Sequence, residues 1–204
     1  MAKSEHAPSY YAATAHLAPD LPALEGEVRA DVVVVGAGYT GISAALELAR
    51  RGYDVVVLET HRVGWGASGR NGGQICTGFS ASLAKIEKSV GLDDARKLFA
   101  VAEEGKALIA ERIARHAIDC DLKWGYLYAA PKARHVEELK EEQEVAERRF
   151  GYEGRLRLID RDEVRRMVAS PAYVGGLYDG GAGHLHPLNY CLGLAKAARE
   201  AGAR

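Results

Sequence analysis

Three glycines, Gly36, Gly38 and Gly41, stand at the spacing G-x-G-x-x-G between a run of four valines and a helical pattern. At a strand-to-helix turn this spacing suits a dinucleotide pyrophosphate. The first glycine makes the tight turn, the second lets the backbone approach the phosphates, and the third lets the helix pack on the strand. The segment Gly36-Ala37-Gly38-Tyr39-Thr40-Gly41 is therefore the candidate phosphate cradle, with the helix N-terminus facing the negative charge. Glu59 follows Gly41 by 18 residues, near the ~20-residue offset at which a carboxylate accepts hydrogen bonds from an adenosine ribose. An acid there repels a 2′-phosphate, which favours FAD or NAD over NADP. A second glycine-dense stretch, Gly64-Trp65-Gly66-Ala67-Ser68-Gly69-Arg70-Asn71-Gly72-Gly73-Gln74, is too rich in glycine for a stable helix or strand. Its backbone can approach a ligand closely, and Ser68, Arg70, Asn71 and Gln74 add polar side chains. Arg70 suits a phosphate or carboxylate. A flexible surface loop is the alternative reading of the same residues.

The elements that position these residues follow from periodicity. Val32-Val33-Val34-Val35 predicts a strand buried on both faces, as in a parallel α/β sheet. Ile42, Ala45, Leu46 and Ala49 recur at helical spacing after it, Gly52 ends that helix, and Val55–Leu58 supplies a second buried strand delivering Glu59. Helices are predicted from Leu83 to Val90 and from about Asp93 to Ala117. The apolar stripe of the second comprises Leu98, Val101, Ala102, Gly105, Leu108, Ile109 and Ile113. A strand at 124–130, a charged helix at 132–150, a strand at 156–159 and a brief helix starting at Asp160 or Asp162 come next. Strand alternation through Gly180–Pro187 places His184 and His186 on one side, but no third ligand at a suitable spacing makes them a metal site. Pro187 opens a last amphipathic helix capped near Gly202. A strand is due where the chain stops at Arg204, so the sequence is expected to be the N-terminal part of a longer protein.

Composition narrows the class. With 204 residues and 48% hydrophobic content the chain can bury one good core or two small ones, as a soluble globular protein. The 27 basic and 28 acidic side chains leave a net charge of −1, so nothing in the balance favours nucleic acid or an anionic membrane as partner. No run approaches the ~18 apolar residues of a membrane span. Residues 1–30 carry scattered charges and prolines with no apolar signal core and read as an arm, either lying on the domain or disordered. A cytoplasmic location follows, and Cys76, Cys120 and Cys191, odd in number and widely spaced, fit reduced thiols. No feature specifies an oligomeric state.

The run 36–41, Glu59 and above all Gly66–Gln74 resemble the FAD-dependent amine oxidoreductases related to D-amino-acid oxidase, within them most closely the gamma-glutamylputrescine oxidases. Ser9-Tyr10-Tyr11-Ala12-Ala13-Thr14 and Gly183-His184-Leu185-His186-Pro187-Leu188 are similar to that subgroup too. The resemblance implies a Rossmann-like FAD-binding fold of the α/β class, its βαβ unit at 31–80, with the start of an inserted β-rich substrate domain within 81–204, whose first pieces would be the strands near 124–130 and 173–179. It implies FAD as cofactor and a small amine as substrate, whose C–N bond is oxidised by hydride transfer to the flavin N5 before the imine hydrolyses. Gly36, Ala37, Gly38, Tyr39, Thr40 and Gly41 would cradle the pyrophosphate and Glu59 the ribose. Gly66, Ala67, Ser68, Arg70, Asn71, Gly72, Gly73 and Gln74 would run along the ribityl and isoalloxazine region. Arg70 stands where some relatives attach the flavin through histidine, which argues against covalent attachment from this segment. No residue can be assigned to catalysis, and no side chain selects the substrate. Two other readings stay open: an NAD-dependent dehydrogenase, which leaves the 64–74 loop without a task, and a non-enzymatic truncated dinucleotide-binding module. Weak FAD retention and little turnover are expected of the 204-residue chain alone.

Overall fold

The computed structural model describes residues 5–16 and 21–204, so parts of the expected arm, residues 1–4 and 17–20, lie outside the described residues. The chain forms two compact units: residues 1–73, 109–122 and 185–204 make the first, and residues 74–108 and 123–184 the second.

The first unit is built on a parallel pair, β1 (Val32–Val35) and β2 (Val55–Leu58), in the register Val32↔Val55 to Val35↔Leu58. Between them α2 (Tyr39–Arg50) buries Ile42, Ala45, Leu46 and Ala49, the face its spacing predicts. A short α1 (Tyr10–Thr14) precedes this unit's strands, and α7 (Pro187–Glu200) packs on α2. Arg204 pairs in parallel fashion with β2: its N–H donates to the Val55 carbonyl at 2.9 Å and its carbonyl accepts from Val57 N–H at 2.8 Å, the two bonds a parallel ladder makes around one residue. One expectation fails here. β1 is not buried on both faces, because Val33 and Val35 are 53% and 84% exposed. α2 covers one side of the strand, and no described element covers the other.

The second unit centres on β6 (Gly175–His184), a ten-residue antiparallel strand. Along one edge runs β4 (Lys123–Ala130); β5 (Leu156–Ile159) and the two-residue β3 (Gln74–Ile75) share the other. The charged α5 (Ala133–Phe150) packs on this sheet and stops in a left-handed Gly151, φ +70°, whose N–H returns to the Glu147 carbonyl. α6 (Arg161–Met167) takes its cap from Asp160, whose carboxylate accepts the Glu163 amide at 2.8 Å. A small core joins Ala95 and Phe99 to Ala146, Phe150 and Tyr152, with α3 (Leu83–Val90) against it through Leu83 and Ile86.

The long helix α4 (Leu92–Arg115) forms close to its expected bounds but turns a different face inward. Leu98, Val101 and Leu108 of the expected stripe are exposed, while Ala95, Phe99, Lys106 and Arg112 are buried. Lys106 and Arg112 are buried because they are paired, Lys106 with Glu103 at 2.8 Å and Arg112 with Glu47 at 3.1 Å. A hydrophobic count scores such residues as solvent-facing. The alternation expected through 180–187 also breaks. β6 ends at His184, whereas His186 caps α7, so the two histidines belong to different elements and different units.

Candidate cofactor site

The turn between β1 and α2 has the geometry that the glycine spacing predicts. Gly36 adopts φ +102°, a conformation that favours glycine, and its N–H donates to the Leu58 carbonyl at 2.7 Å, which seats the turn across the ends of both strands. A Cβ on Gly41 would lie 2.0 Å from the Gly36 carbonyl oxygen, so only glycine lets α2 start this close to the turn. The first amides of α2 have no acceptor within the helix and carry its positive dipole end.

Glu59 lies just past β2. Its Oε2 accepts the Ala37 amide at 2.8 Å and its Oε1 accepts the His61 amide at 2.9 Å. The carboxylate is thereby tied to the glycine turn. Each oxygen retains acceptor capacity, and the residue is exposed, so ribose hydroxyls can still donate to it.

The second glycine-rich stretch meets the first. Ala67–Gly69 forms a single 3-10 turn, and Ser68 Oγ accepts the Tyr39 amide at 3.0 Å, capping the start of α2 from outside. A Cβ on Gly38 would sit 2.8 Å from that oxygen, and one on Gly69 would sit 2.2 Å from the Gly64 carbonyl oxygen. Asn71 holds the loop's shape: its Nδ2 donates to the carbonyls of Ala67 and Ser68, both at 3.1 Å, and its Oδ1 accepts the Gly73 amide at 2.9 Å. Gly73, φ +74°, packs so tightly that a Cβ would fall 2.1 Å from the Leu185 carbonyl oxygen. This stretch is therefore a constrained loop rather than a flexible one.

Other expected site residues have different surroundings. Tyr39 points its ring toward α7, 5.5 Å from the Tyr190 ring, and donates its hydroxyl to the Pro187 carbonyl at 2.9 Å. What it offers the turn is its amide. Arg70 donates Nε to the Trp65 carbonyl at 2.7 Å and lies 4.2 Å over the Trp65 indole. Thr40, Gly66, Ala67 and Gly72 are exposed around the turn and loop. Gln74 departs from the expected irregular loop: it opens β3 in the second unit, paired with His184. A glycine-rich run predicts no strand, but β6 supplies a ready edge for one.

Cys191, which the sequence leaves without a role, lies under the turn with its Sγ donating to the Ala37 carbonyl at 3.7 Å. Burial, with the Glu59 charge behind it, pushes its thiol up to about 12, and burial pushes Cys120 up to about 11. Neither provides thiolate at neutral pH, so both act as packing groups. Iodoacetamide is expected to alkylate the exposed Cys76 in the folded chain and to reach Cys120 and Cys191 only in denaturant. Mass spectrometry of native and urea-treated samples checks this, and modification of Cys191 in the native chain would contradict it.

The residues present fit FAD: a turn only glycine can make, a carboxylate anchored to that turn, and a constrained second loop against the helix start. Among the described residues no group of three His, Cys, Asp or Glu side chains is placed to hold a metal ion, and no helix is long and apolar enough to cross a membrane.

A parallel βαβ unit with this turn, joined to an antiparallel sheet, defines a flavoprotein-type oxidoreductase fold. The model of the DAO family, FAD dependent oxidoreductases, matches residues 31–204, and the chain belongs to that family. It is 47% identical over 201 residues to gamma-glutamylputrescine oxidoreductase of Escherichia coli K12, covering 98% of this chain and 47% of that protein. It is 45% identical over 203 residues to the probable oxidoreductase OrdL of Haemophilus influenzae, covering 100% of this chain and 47% of that protein. The chain thus spans about half the length of these curated relatives. Among solved structures, L-amino acid deaminase from Proteus myxofaciens superposes with a TM-score of 0.72 at 23% identity, over 92% of this chain and 40% of that one, a likeness of fold. Glycine oxidase from Geobacillus kaustophilus gives a TM-score of 0.65 at 26% identity, over 86% and 45% of the two chains.

Proposed function

We propose that this chain is the FAD-holding part of an oxidoreductase that oxidises a C–N bond of a small amine resembling gamma-glutamylputrescine. The observation that carries the FAD reading is the contact between the two glycine-rich motifs: Ser68 Oγ on the Tyr39 amide at 3.0 Å. A nicotinamide-binding βαβ unit has no need of the second loop; a flavin site uses both. The relationship to the gamma-glutamylputrescine oxidoreductase supports the substrate class.

In this reading Gly36, Ala37, Gly38, Tyr39, Thr40 and Gly41 line the pyrophosphate, mainly through backbone, and the α2 dipole offsets its charge. Glu59 accepts the ribose hydroxyls and excludes a 2′-phosphate. Gly66, Ala67, Ser68, Arg70, Asn71, Gly72, Gly73 and Gln74 follow the rest of the cofactor, with Asn71 and Ser68 keeping the loop in shape. Bound there, FAD supplies two-electron oxidation, accepting a hydride from the substrate carbon; the protein contributes binding, orientation and electrostatics. Residues 31–80 form the FAD-binding unit, residues 1–30 are an N-terminal arm, and the β-rich segments within 81–204 begin the substrate domain. The protein works in the cytoplasm.

Titrating the purified chain with FAD and with NAD, followed by flavin fluorescence and by calorimetry, tests this. FAD is expected to bind more tightly; a preference for NAD, or no uptake of FAD, overturns the reading. For the protein encoded by the complete reading frame, the expected result is flavin bleaching on addition of gamma-glutamylputrescine. Glu59→Gln is expected to weaken FAD retention about tenfold, ~1.4 kcal/mol, because the amide donor it introduces opposes the Ala37 or His61 N–H. An unchanged affinity would remove Glu59 from the site.

A further inference from the structure

The described N-terminal residues are fastened at both ends. At one end the Glu5 carboxylate pairs with Arg62, and the Glu5 carbonyl accepts the Trp65 indole N–H at 3.0 Å. Trp65 in turn carries the Arg70 guanidinium on its ring. At the other end Thr14 Oγ1 lies 3.0 Å from His186 Nε2, and the His16 amide donates to Asn189 Oδ1 at 2.9 Å. The Tyr10 and Tyr11 rings flank the imidazole at 6.3 and 5.0 Å.

The partners of His186 fix its tautomer. Nδ1 accepts the Asn189 amide at 3.1 Å, capping α7, so it carries no proton. The Thr14 hydroxyl donates to the Tyr10 carbonyl at 2.7 Å, so toward the imidazole it is the acceptor and Nε2–H the donor. Only the neutral ring makes both contacts. A second proton on Nδ1 would break the cap and place a positive charge at the positive end of the α7 dipole.

We propose that residues 5–16 are a strap that positions Trp65, and through it Arg70, and that its clasp at His186 opens in acid. The role toward flavin rests on the function proposed above; the clasp does not.

The groups facing His186 are few. Tyr10, Tyr11 and Thr14 come from α1, with His16 just beyond it. Asp121 lies on the segment before β4; neighbouring Cys120 accepts the His186 amide, and Asp119 is paired with His16 at 3.2 Å. Asn189 comes from α7 itself. Burial, the largest influence, and His16 favour the neutral ring, a backbone hydrogen bond within His186 and the Asp121 charge oppose them, and burial prevails, so the imidazole is held below its ordinary value of 6.5. A histidine with a lowered folded value keeps its contribution above the ordinary value and loses it as pH falls below. The clasp is therefore shut at neutral pH and loses its hold as pH falls below the ordinary histidine range.

Hydrogen exchange of the whole chain at about pH 7.5 and about pH 5, corrected for intrinsic rates, tests the clasp. The amides of Ala12, Ala13 and His16, held by Ser9 and Asn189, are expected to lose about tenfold protection in acid while those of β2 keep theirs. His186→Asn still caps α7 but does not titrate, so its strap protection becomes independent of pH; His16→Gln retains the step. Protection that does not change in acid, or a step that disappears with His16→Gln, overturns the clasp. Glu5→Ala, in a Trp124→Phe background, is expected to red-shift Trp65 emission without any flavin present and then to weaken FAD retention. A red shift with no FAD uptake by either chain would sustain the strap and sink the flavin reading. Unaltered emission would sink the strap.

Discussion

Gly41→Ala is expected to destabilise the chain by about 3 kcal/mol, the upper end of the range for overpacking, and to lower its melting temperature by roughly 6–12 °C. The added methyl would lie 2.0 Å from the Gly36 carbonyl oxygen and 3.2 Å from Val34 Cγ1. Neither neighbour can give way cheaply. Gly36 donates its amide to Leu58 at 2.7 Å, so moving its carbonyl pulls on the β1–β2 register, and Val34 sits within that ladder. Gly66→Ala supplies the contrast: a Cβ there meets nothing within 4 Å and the φ needs no glycine, so the change is expected within ~0.5 kcal/mol. Thermal unfolding of the two variants measures the difference directly. Equal melting temperatures would show that α2 can slide away from the turn. Gly41→Ala should also lose FAD, since the helix start moves with the clash.

Asp179→Ala is expected to cost about 3 to 5 kcal/mol, as for other buried charge networks broken on one side. Asp179 is 1% exposed and accepts three donors: Thr77 Oγ1 at 2.7 Å, the Tyr152 hydroxyl at 2.8 Å and the Gly181 amide at 2.8 Å. Across those hydroxyls stands Lys106 Nζ, 2.9 Å from Thr77 Oγ1, 3.2 Å from the Tyr152 oxygen and 2.9 Å from the Gly181 carbonyl. Glu103 Oε1 lies 2.8 Å from the same nitrogen without forming an aligned hydrogen bond, so its contribution is Coulombic. Removing the aspartate takes the acceptor from the buried Tyr152 hydroxyl, the half-buried Thr77 hydroxyl and the Gly181 amide. The two hydroxyls, 2.9 Å apart, can satisfy only one of their donors between them. A cleft of about 700 Å³ opens beside Asp179, Thr77 and Tyr152, so water can reach them and holds the cost toward the lower end. Tyr152→Phe, which loses one donor to a charged group, is expected to cost ~1.5 to 3 kcal/mol. Urea midpoints at constant m-value give both numbers. A loss below about 1 kcal/mol for Asp179→Ala would mean that the network is as weakly coupled as a surface ion pair.

The glycine turn was legible because its causes are local. Strand, glycines, helix and acid are contiguous, and two of the glycines are required by atoms close in sequence: Gly41 by Gly36, and Gly69 by Gly64. The inward face of α4 was not legible. Its buried positions include Lys106 and Arg112, whose partners Thr77, Gly181, Ser43 and Glu47 come from other elements, so periodicity chose Leu98, Val101 and Leu108 instead. β6 was legible in part: strand was expected near 173–179 and through 180–187, but not as one ten-residue strand, because its five glycines in isolation discourage one. In the sheet three of them are required. A Cβ on Gly176 would lie 2.7 Å from the Tyr128 carbonyl oxygen, one on Gly181 2.1 Å from the Tyr152 hydroxyl, and one on Gly183 2.5 Å from the Lys123 carbonyl oxygen. β6 is crowded because it is central, with strands on both edges.

The amino-acid sequence by itself determined the βαβ unit, its glycine turn and the acid beside it, since backbone conformation and short-range packing settle all three. Only the tertiary structure decided that Ser68 caps α2, that Tyr39 faces α7, that His186 fastens the N-terminal residues and that Asp179 and Lys106 are buried together. Each of these depends on a polar group finding its partner from a distant part of the chain, and a polar residue's type does not say whether water or another side chain will satisfy it.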